Sequence, residues 1–319
     1  DDDGKPTAKF AYEGKEFLTS TDERNRFVNS YTGPDGALYL VDFYRGLIQH
    51  QTYISEYLRR QIKARELDTP LGLGRIYRVV HKDSPIDHTP VNLSEMSSEQ
   101  LVDLLGHANA WHRHNAQRLL VQRRDSDSVD PLVAMATTSD NSQARIHALW
   151  TLQGMRKLEA STLYAAGGSK DQRVRAQVVR LSEDFAGESE AKQFAGLMLR
   201  YAEDSPNWAM DMQLALSAGI LADIENPKAY DVLLNVIERR GDDKLFNSAI
   251  VSGLRGKEAV LLPMVKGEKL KEMLTNALAK ATENGDLTIG SLLALVDSPG
   301  FDEQRDGLLQ PRRRLRIQG

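Results

Sequence analysis

The sequence predicts a mainly α protein, a HEAT-like α-solenoid over residues 95–300 preceded by a small β segment over residues 1–85. Three observations carry that expectation. Residues 33–45 spell a turn, Gly33-Pro34-Asp35-Gly36, followed by the β-rich run Ala37-Leu38-Tyr39-Leu40-Val41 that ends in polar residues. A small alanine recurs in apolar helices at Ala116, Ala148, Ala176, Ala215, Ala249 and Ala277, at intervals within the range of helical repeats. From Leu93 onward helix-start chemistry also recurs, with serines ahead of acidic residues and then apolar positions.

Taken in order, residues 1–30 are polar, with isolated apolar points at Phe10, Tyr12, Phe17 and Leu18, and read as loop with one strand near Phe27–Tyr31. Pro34 presets the first turn position and Gly36 permits positive φ. In the strand that follows, alternation puts Leu38, Leu40, Asp42 and Tyr44 on one face and Tyr39, Val41, Phe43 and Arg45 on the other. Both faces are largely apolar, so the strand needs cover on both sides. The pattern reads as one terminal β-propeller blade, whose missing strand partners come from upstream residues or from a compact local arrangement, in a chain that is a processed or truncated piece. A helix over residues 53–65 is inserted before the return strand Gly74–Val80, and a connection of that length is more often functional than idle.

Beyond residue 95 the second helices read Asn115–Arg123, Gln143–Gln153, Gln172–Glu183, Ala209–Leu221 and Leu245–Leu254. First helices such as Pro131–Ala136, Ala191–Tyr201 and Lys228–Arg239 precede them, giving roughly six pairs. Arg113, Arg145 and Arg173 each stand three residues before a repeat alanine. Such arrays bury each apolar face on the next repeat and offer a long binding surface. Residues 301–319 form a basic tail, expected to be solvated.

Composition narrows the chemistry. With 319 residues and 41% hydrophobic content the chain can bury a core, and a net charge of -4 gives no electrostatic case for nucleic acid. The absence of cysteine excludes disulfides, thiolate metal sites, a cysteine nucleophile and covalent haem in this chain. No run approaches the 18 apolar residues of a transmembrane segment. His112 and His114 diverge on a helix, so no metal site is expected there, and His147 with Trp150 reads as packing. The P-loop, dinucleotide, zinc-protease and serine-hydrolase motifs are all missing.

Residues 31–50, Tyr-Thr-Gly-Pro-Asp-Gly-Ala-Leu-Tyr-Leu-Val-Asp-Phe-Tyr-Arg-Gly-Leu-Ile-Gln-His, are followed by Gly72-Leu73-Gly74-Arg75-Ile76-Tyr77-Arg78-Val79. Together they resemble the exported membrane-bound dehydrogenase proteins of planctomycetes and their relatives. Those proteins join a sorbosone/glucose-dehydrogenase-like β-propeller to helical repeats and commonly end in a c-type cytochrome domain. The runs 101–107, Trp111, Arg113, Ala116–Leu120 and Arg145–Leu152 extend the resemblance into the repeats. Two departures stand out: most of the propeller is absent, and no Cys-x-x-Cys-His motif occurs.

The resemblance implies a site in the blade's inter-strand loop, with Asp42, Tyr44, Arg45 and Gln49 binding cofactor and with His50 and Arg45 catalytic. Arginine's planar fork suits a quinone carboxylate or an oxyanion, and a histidine with a pKa near neutrality suits a base removing a hydroxyl proton. The same residues admit a local reading, in which Asp42 and Arg45 pair or cap the loop and His50 caps the inserted helix. The resemblance also implies pyrroloquinoline quinone (PQQ) and Ca²⁺ in the full-length parent, with no cofactor bound by this chain alone. Its other implications are upstream propeller blades and a downstream cytochrome c domain or electron acceptor as partners, and a periplasmic or cell-envelope location. Two functions follow: a fragment of a quinone-dependent sugar or aldehyde dehydrogenase with the repeats as scaffold, inactive by itself, or a non-catalytic solenoid that binds a protein or polysaccharide on its concave face.

Overall fold

The computed structural model describes residues 3–83, 91–204, 207–222, 226–254 and 256–284. The expected basic tail over 301–319 lies outside the described residues. The chain divides into two compact units, one built from Thr7–Leu132 with Trp150–Met155, the other from Asp1–Pro6, Val133–Leu149 and the chain from Arg156 onward.

The first unit opens with three strands, β1 (Phe27–Thr32), β2 (Leu38–Asp42) and β3 (Arg75–Val79), in an antiparallel sheet of order β1-β2-β3. The turn forms as the sequence predicts: Gly36 has φ +78 and its amide donates to the Gly33 carbonyl at 3.1 Å. Asp35 ties it down, accepting from the Ala37 amide at 3.1 Å and the Tyr39 hydroxyl at 3.0 Å and pairing with Arg78. The turn also docks on helix. Asn109 Nδ2 donates to the carbonyls of Gly33 (2.9 Å) and Pro34 (3.2 Å), and the His112 ring lies 3.0 Å from the Pro34 carbonyl.

Helix α1 (Glu56–Ala64) is the predicted insertion, capped by Ser55, whose hydroxyl accepts from the Leu58 amide. It is followed by α2 (Ser98–Asp103), started by a Ser97–Gln100 capping box, and α3 (Ala110–Arg123), capped by Asn109. Then come α4 (Val129–Thr138) and α5 (Ser142–Gly154).

The propeller expectation is corrected here. Three strands with two free edges make an open meander, and no closed propeller sheet exists among the described residues. No helix among them is long and apolar enough to cross a membrane, so the membrane-bound label that came with the resemblance finds no span to rest on.

The second unit continues with α6 (Ala160–Ala166), α7 (Gln172–Leu181), α8 (Ala191–Asp204), α9 (Trp208–Leu221), α10 (Lys228–Arg240), α11 (Lys244–Leu254), α12 (Glu258–Leu261) and α13 (Glu268–Glu283). First helices pack on first helices, α8 against α10, and second on second, α7 against α9, α9 against α11 and α11 against α13. This is a stack of interacting helices resembling a solenoid, as the sequence predicts. Phe194, Phe246, Leu163, Leu181, Met198 and Met210 are fully buried in it; each such side chain contributes about 1.5–3 kcal/mol by leaving water.

One polar residue recurs at the fourth position of five second helices: Arg113, Arg145, Arg175, Asp211 and Asn247. Four of the five donate to main-chain carbonyls near the end of a neighbouring element. Arg113 reaches those of His107 (2.6 Å) and Ala108 (2.8 Å), and Arg145 those of Ala136 (3.0 Å) and Ala166 (3.3 Å). Arg175 reaches Ser169 (2.6 Å), and Asn247 reaches Gly241 (3.0 Å). Helix ends leave carbonyls without partners, and a donor carried by the next helix satisfies them. The expected register is corrected in the third repeat. Arg173 pairs with the α7 cap Asp171, while Arg175 does the reaching. Three residues beyond the fourth position stand Ala116, Ala148, Val178, Leu214 and Ile250, all fully buried, whereas the expected Ala176 and Ala277 are half-buried.

Helices α9 and α11 touch through glycine. A Cβ on Gly219 would sit 2.8 Å from the Gly253 carbonyl oxygen, and one on Gly253 would strike the main chain of Leu216. Gly253→Ala is expected to cost about 1–3 kcal/mol of unfolding free energy through overpacking, beyond the ~1 kcal/mol gained in helix propensity. Gly196→Ala in α8, where nothing lies within 4 Å, is expected to gain up to about 1 kcal/mol. Urea denaturation of the two variants checks the opposite signs.

The Arg173 guanidinium holds the Asp171 carboxyl far below its ordinary value of 3.8. A carboxylate depressed on folding stabilises fully above its unfolded value and loses that contribution as pH falls through its folded value. Stability is therefore expected to decline below about pH 4. Asp171→Asn is expected to flatten the decline between pH 4 and pH 2, read by urea titrations at each pH.

Candidate functional site

The loop after β2 was the predicted site, and its geometry starts from Asp42. This carboxylate is buried, 1% exposed. Oδ1 accepts from the amides of Arg26 (2.8 Å) and Tyr44 (2.9 Å), and Oδ2 accepts from Asn25 Nδ2 (2.8 Å). Three donors converge on it from two chain segments, so Asp42 fixes the loop where β2 ends and β1 begins. Tyr44 adopts φ +48, and its hydroxyl donates to Asp22 Oδ2 at 2.8 Å. The Arg24 amide, with that hydroxyl, holds the Asp22 carboxyl below its ordinary value. The guanidinium carbon of Arg75 lies 3.8 Å from the centre of the Tyr44 ring, a close cation–π stack.

The remaining predicted residues do not join this cluster. Arg45 lies half-buried with its guanidinium 5.5 Å from the Phe43 ring centre. His50 is exposed, and its Nδ1 accepts from the Thr52 amide at 3.3 Å, capping the short turn Gln51–Tyr53 that leads into α1. Gln49 lines a recess of ≈ 340 Å³ together with Leu47, Gln51, Ile54, Arg59, Ile62, Lys63 and Asp68. Thus Asp42 and Tyr44 share one hydrogen-bonded loop, Gln49 belongs to the recess, and Arg45 and His50 each stand apart. Among the described residues no three His, Asp or Glu side chains converge as a metal site.

Sequence reasoning missed Arg24, whose guanidinium donates to the carbonyls of Arg65 (3.4 Å), Glu66 (2.9 Å) and Thr69 (3.1 Å) and so ties down the base of the α1 insertion. It also missed Asn109 and His112 as the seat of the turn. Asn109 stands ahead of an apolar helix as a cap, but nothing in the sequence joins it to residues 33–34.

The first unit carries many exposed apolar side chains. On one sheet face Tyr31, Tyr39, Val41 and Ile76 lie by register beside Asn29 and Arg78, with Tyr31 58% and Ile76 68% exposed. The other face carries Phe27 and Tyr77, edge to face at 5.8 Å and both exposed. Phe10, Tyr12, Phe17, Ile48, Tyr53, Tyr57 and Leu71 are exposed as well. In the helical array the exposed large apolar side chains among the described residues are Leu216, Leu245 and Met264.

Residues 2–83 match the family model of a domain of unknown function, DUF7133. No curated protein and no solved structure matches the chain. The matched segment ends after β3, so it holds the sheet, the loop and the α1 insertion but none of the stacked helices.

Proposed function

We propose that this chain is a non-catalytic protein-binding module, in which the helices serve as scaffold and the small sheet takes an extended strand from a partner protein. The observation that carries this reading is the exposed apolar surface of residues 10–80, which includes Phe27, Val28, Tyr31, Ile76 and Tyr77 on the outer strands, against the few exposed apolar side chains of the array. Soluble surfaces rarely leave such patches uncovered unless they bind something. Among the described residues both outer strands, β1 and β3, also have a free edge. Edge strands offer unpaired amides and carbonyls to an added strand, while alternating side chains set specificity. The α1 insertion, β-strand edge and exposed aromatics are features of a docking surface for polypeptide. The dehydrogenase reading lacks comparable support, since Asp42 and Tyr44 are engaged with main chain and neighbours, Arg45 lies beside the Phe43 ring and His50 caps the turn Gln51–Tyr53.

Photo-crosslinking amino acids at Tyr31 and Ile76, and separately at Leu245 and Met264, test the proposal in cells that produce the chain. A discrete protein adduct is expected from the sheet positions and is expected to disappear when Lys replaces the neighbouring sheet residue. Adducts from the array positions alone would contradict it.

A further inference from the structure

We propose that the junction of α9, α10 and α11 is a recognition site for an Asp-Gly turn in a polypeptide segment, filled in this structure by Asp3-Gly4. Three separate contacts define what it reads. The Arg240 guanidinium takes the Asp3 carboxylate in a fork, Nη1 to Oδ2 at 2.7 Å and Nη2 to Oδ1 at 3.0 Å. The Trp208 amide, in the first turn of α9, donates to the Asp3 carbonyl at 2.7 Å. Gly4 then turns with φ +77, packed over Asn207 and Ala209, in a conformation that a residue with a Cβ adopts only under strain. Side chain, main chain and turn are thus each recognised.

Contacts that do not involve the occupant hold the site together. Asp211, fully buried, accepts from Arg239 Nη2 at 2.6 Å and from Arg240 Nε at 3.0 Å. With Nε engaged inward, Arg240 presents its two terminal nitrogens outward, and the Phe246 ring lies 5.6 Å from its guanidinium carbon. Two guanidinium charges against one buried carboxylate leave a unit of positive charge, which an incoming carboxylate neutralises. The Trp208 ring stacks edge-on against Phe246 at 5.6 Å, walling the same junction. The hydrogen bond from Arg240 holds the Asp3 carboxyl below its ordinary value, in keeping with a charged occupant. This site lies on the helical unit and does not rest on the proposed role of the sheet.

A tethered occupant competes at an effective concentration on the order of millimolar, so a free peptide sees the site only when the tethered aspartate is removed. The probe is a fluorescein-labelled peptide of residues 1–8, followed by anisotropy with the full chain. Asp3→Ala is expected to bind it about tenfold or more tightly than the intact chain does. In the Asp3→Ala background, Arg240→Lys keeps the charge, loses the fork and is expected to weaken binding about tenfold, as is a peptide with Val in place of Gly4. Helical circular dichroism confirms that each variant is folded. Failure of folded Asp3→Ala chain to bind at millimolar peptide, or binding indifferent to Arg240→Lys and to the glycine, overturns the proposal. Either result leaves the crosslinking test of the sheet untouched.

Discussion

Replacing Asp211 with alanine is expected to lower the unfolding free energy by about 3–5 kcal/mol, among the largest effects of any single change in the helical unit. Asp211 is fully buried, and its two oxygens accept from two guanidiniums at 2.6 and 3.0 Å. Taking a carboxylate out of water is costly, and the two arginines offset that cost. Removing the carboxylate leaves two partly buried cations facing each other, which is why the loss exceeds that of an exposed ion pair, about 0–1 kcal/mol. Arg239→Ala is expected to cost less, because Arg240 still satisfies one oxygen. Urea denaturation followed by circular dichroism separates the two. A loss below about 1 kcal/mol for Asp211→Ala would mean that the cluster behaves as a surface pair.

Asp42→Ala is expected to cost about 3 kcal/mol or more, since it removes a buried charged acceptor from three donors, the amides of Arg26 and Tyr44 and the Asn25 side chain. Asp42→Asn keeps one carbonyl oxygen, so the amides retain an acceptor while Asn25 Nδ2 meets an NH₂ group; a smaller loss follows. Thermal unfolding monitored at the sheet's tyrosines reads both. The experiment also discriminates between roles. A carboxylate held for a cofactor is often replaced without loss of stability, whereas one that closes a loop is not. Stability unchanged in Asp42→Ala would therefore restore the cofactor reading for this loop.

What the sequence made legible was local. The Pro34-Asp35-Gly36 turn, the strand after it, the α1 insertion and the capped helix start at Ser97 each follow from a few adjacent residues. Most second helices lie within a few residues of their expected bounds, because a buried apolar face at helical spacing is a strong signal. The repeat register was less legible. Arg173 and Arg175 are both arginines near the start of α7, and only the position of the Asp171 cap decides which of them turns inward. The propeller reading failed for a different reason: turn and strand chemistry in residues 33–45 specify one hairpin and say nothing of how many strands close the sheet.

The candidate loop was legible in part, without its partners. Asp42 and Tyr44 do matter to the loop, but their partners Asn25, Arg26, Asp22 and Arg75 lie too far along the chain for spacing to reveal. His50 does cap, though it caps a short turn and leaves the helix to Ser55. Long-range polar pairs are the least readable of all. Asp3 and Arg240 meet across 237 residues, and Asp211 finds its two arginines 28 and 29 residues on. Hydrophobic period specifies a helix face, but a single buried carboxylate carries no period.

The most direct test of the docking role is hydrogen exchange across Phe27–Thr32 and Arg75–Val79, measured on the chain alone and with the protein identified by crosslinking. In an edge strand every second amide faces away from its partner and exchanges freely until another strand pairs with it. The account predicts slowed exchange in β1 or β3 in the complex, with α9, α10 and α11 unchanged. Slowed exchange confined to those helices, with both edge strands as open as in the free chain, would contradict it.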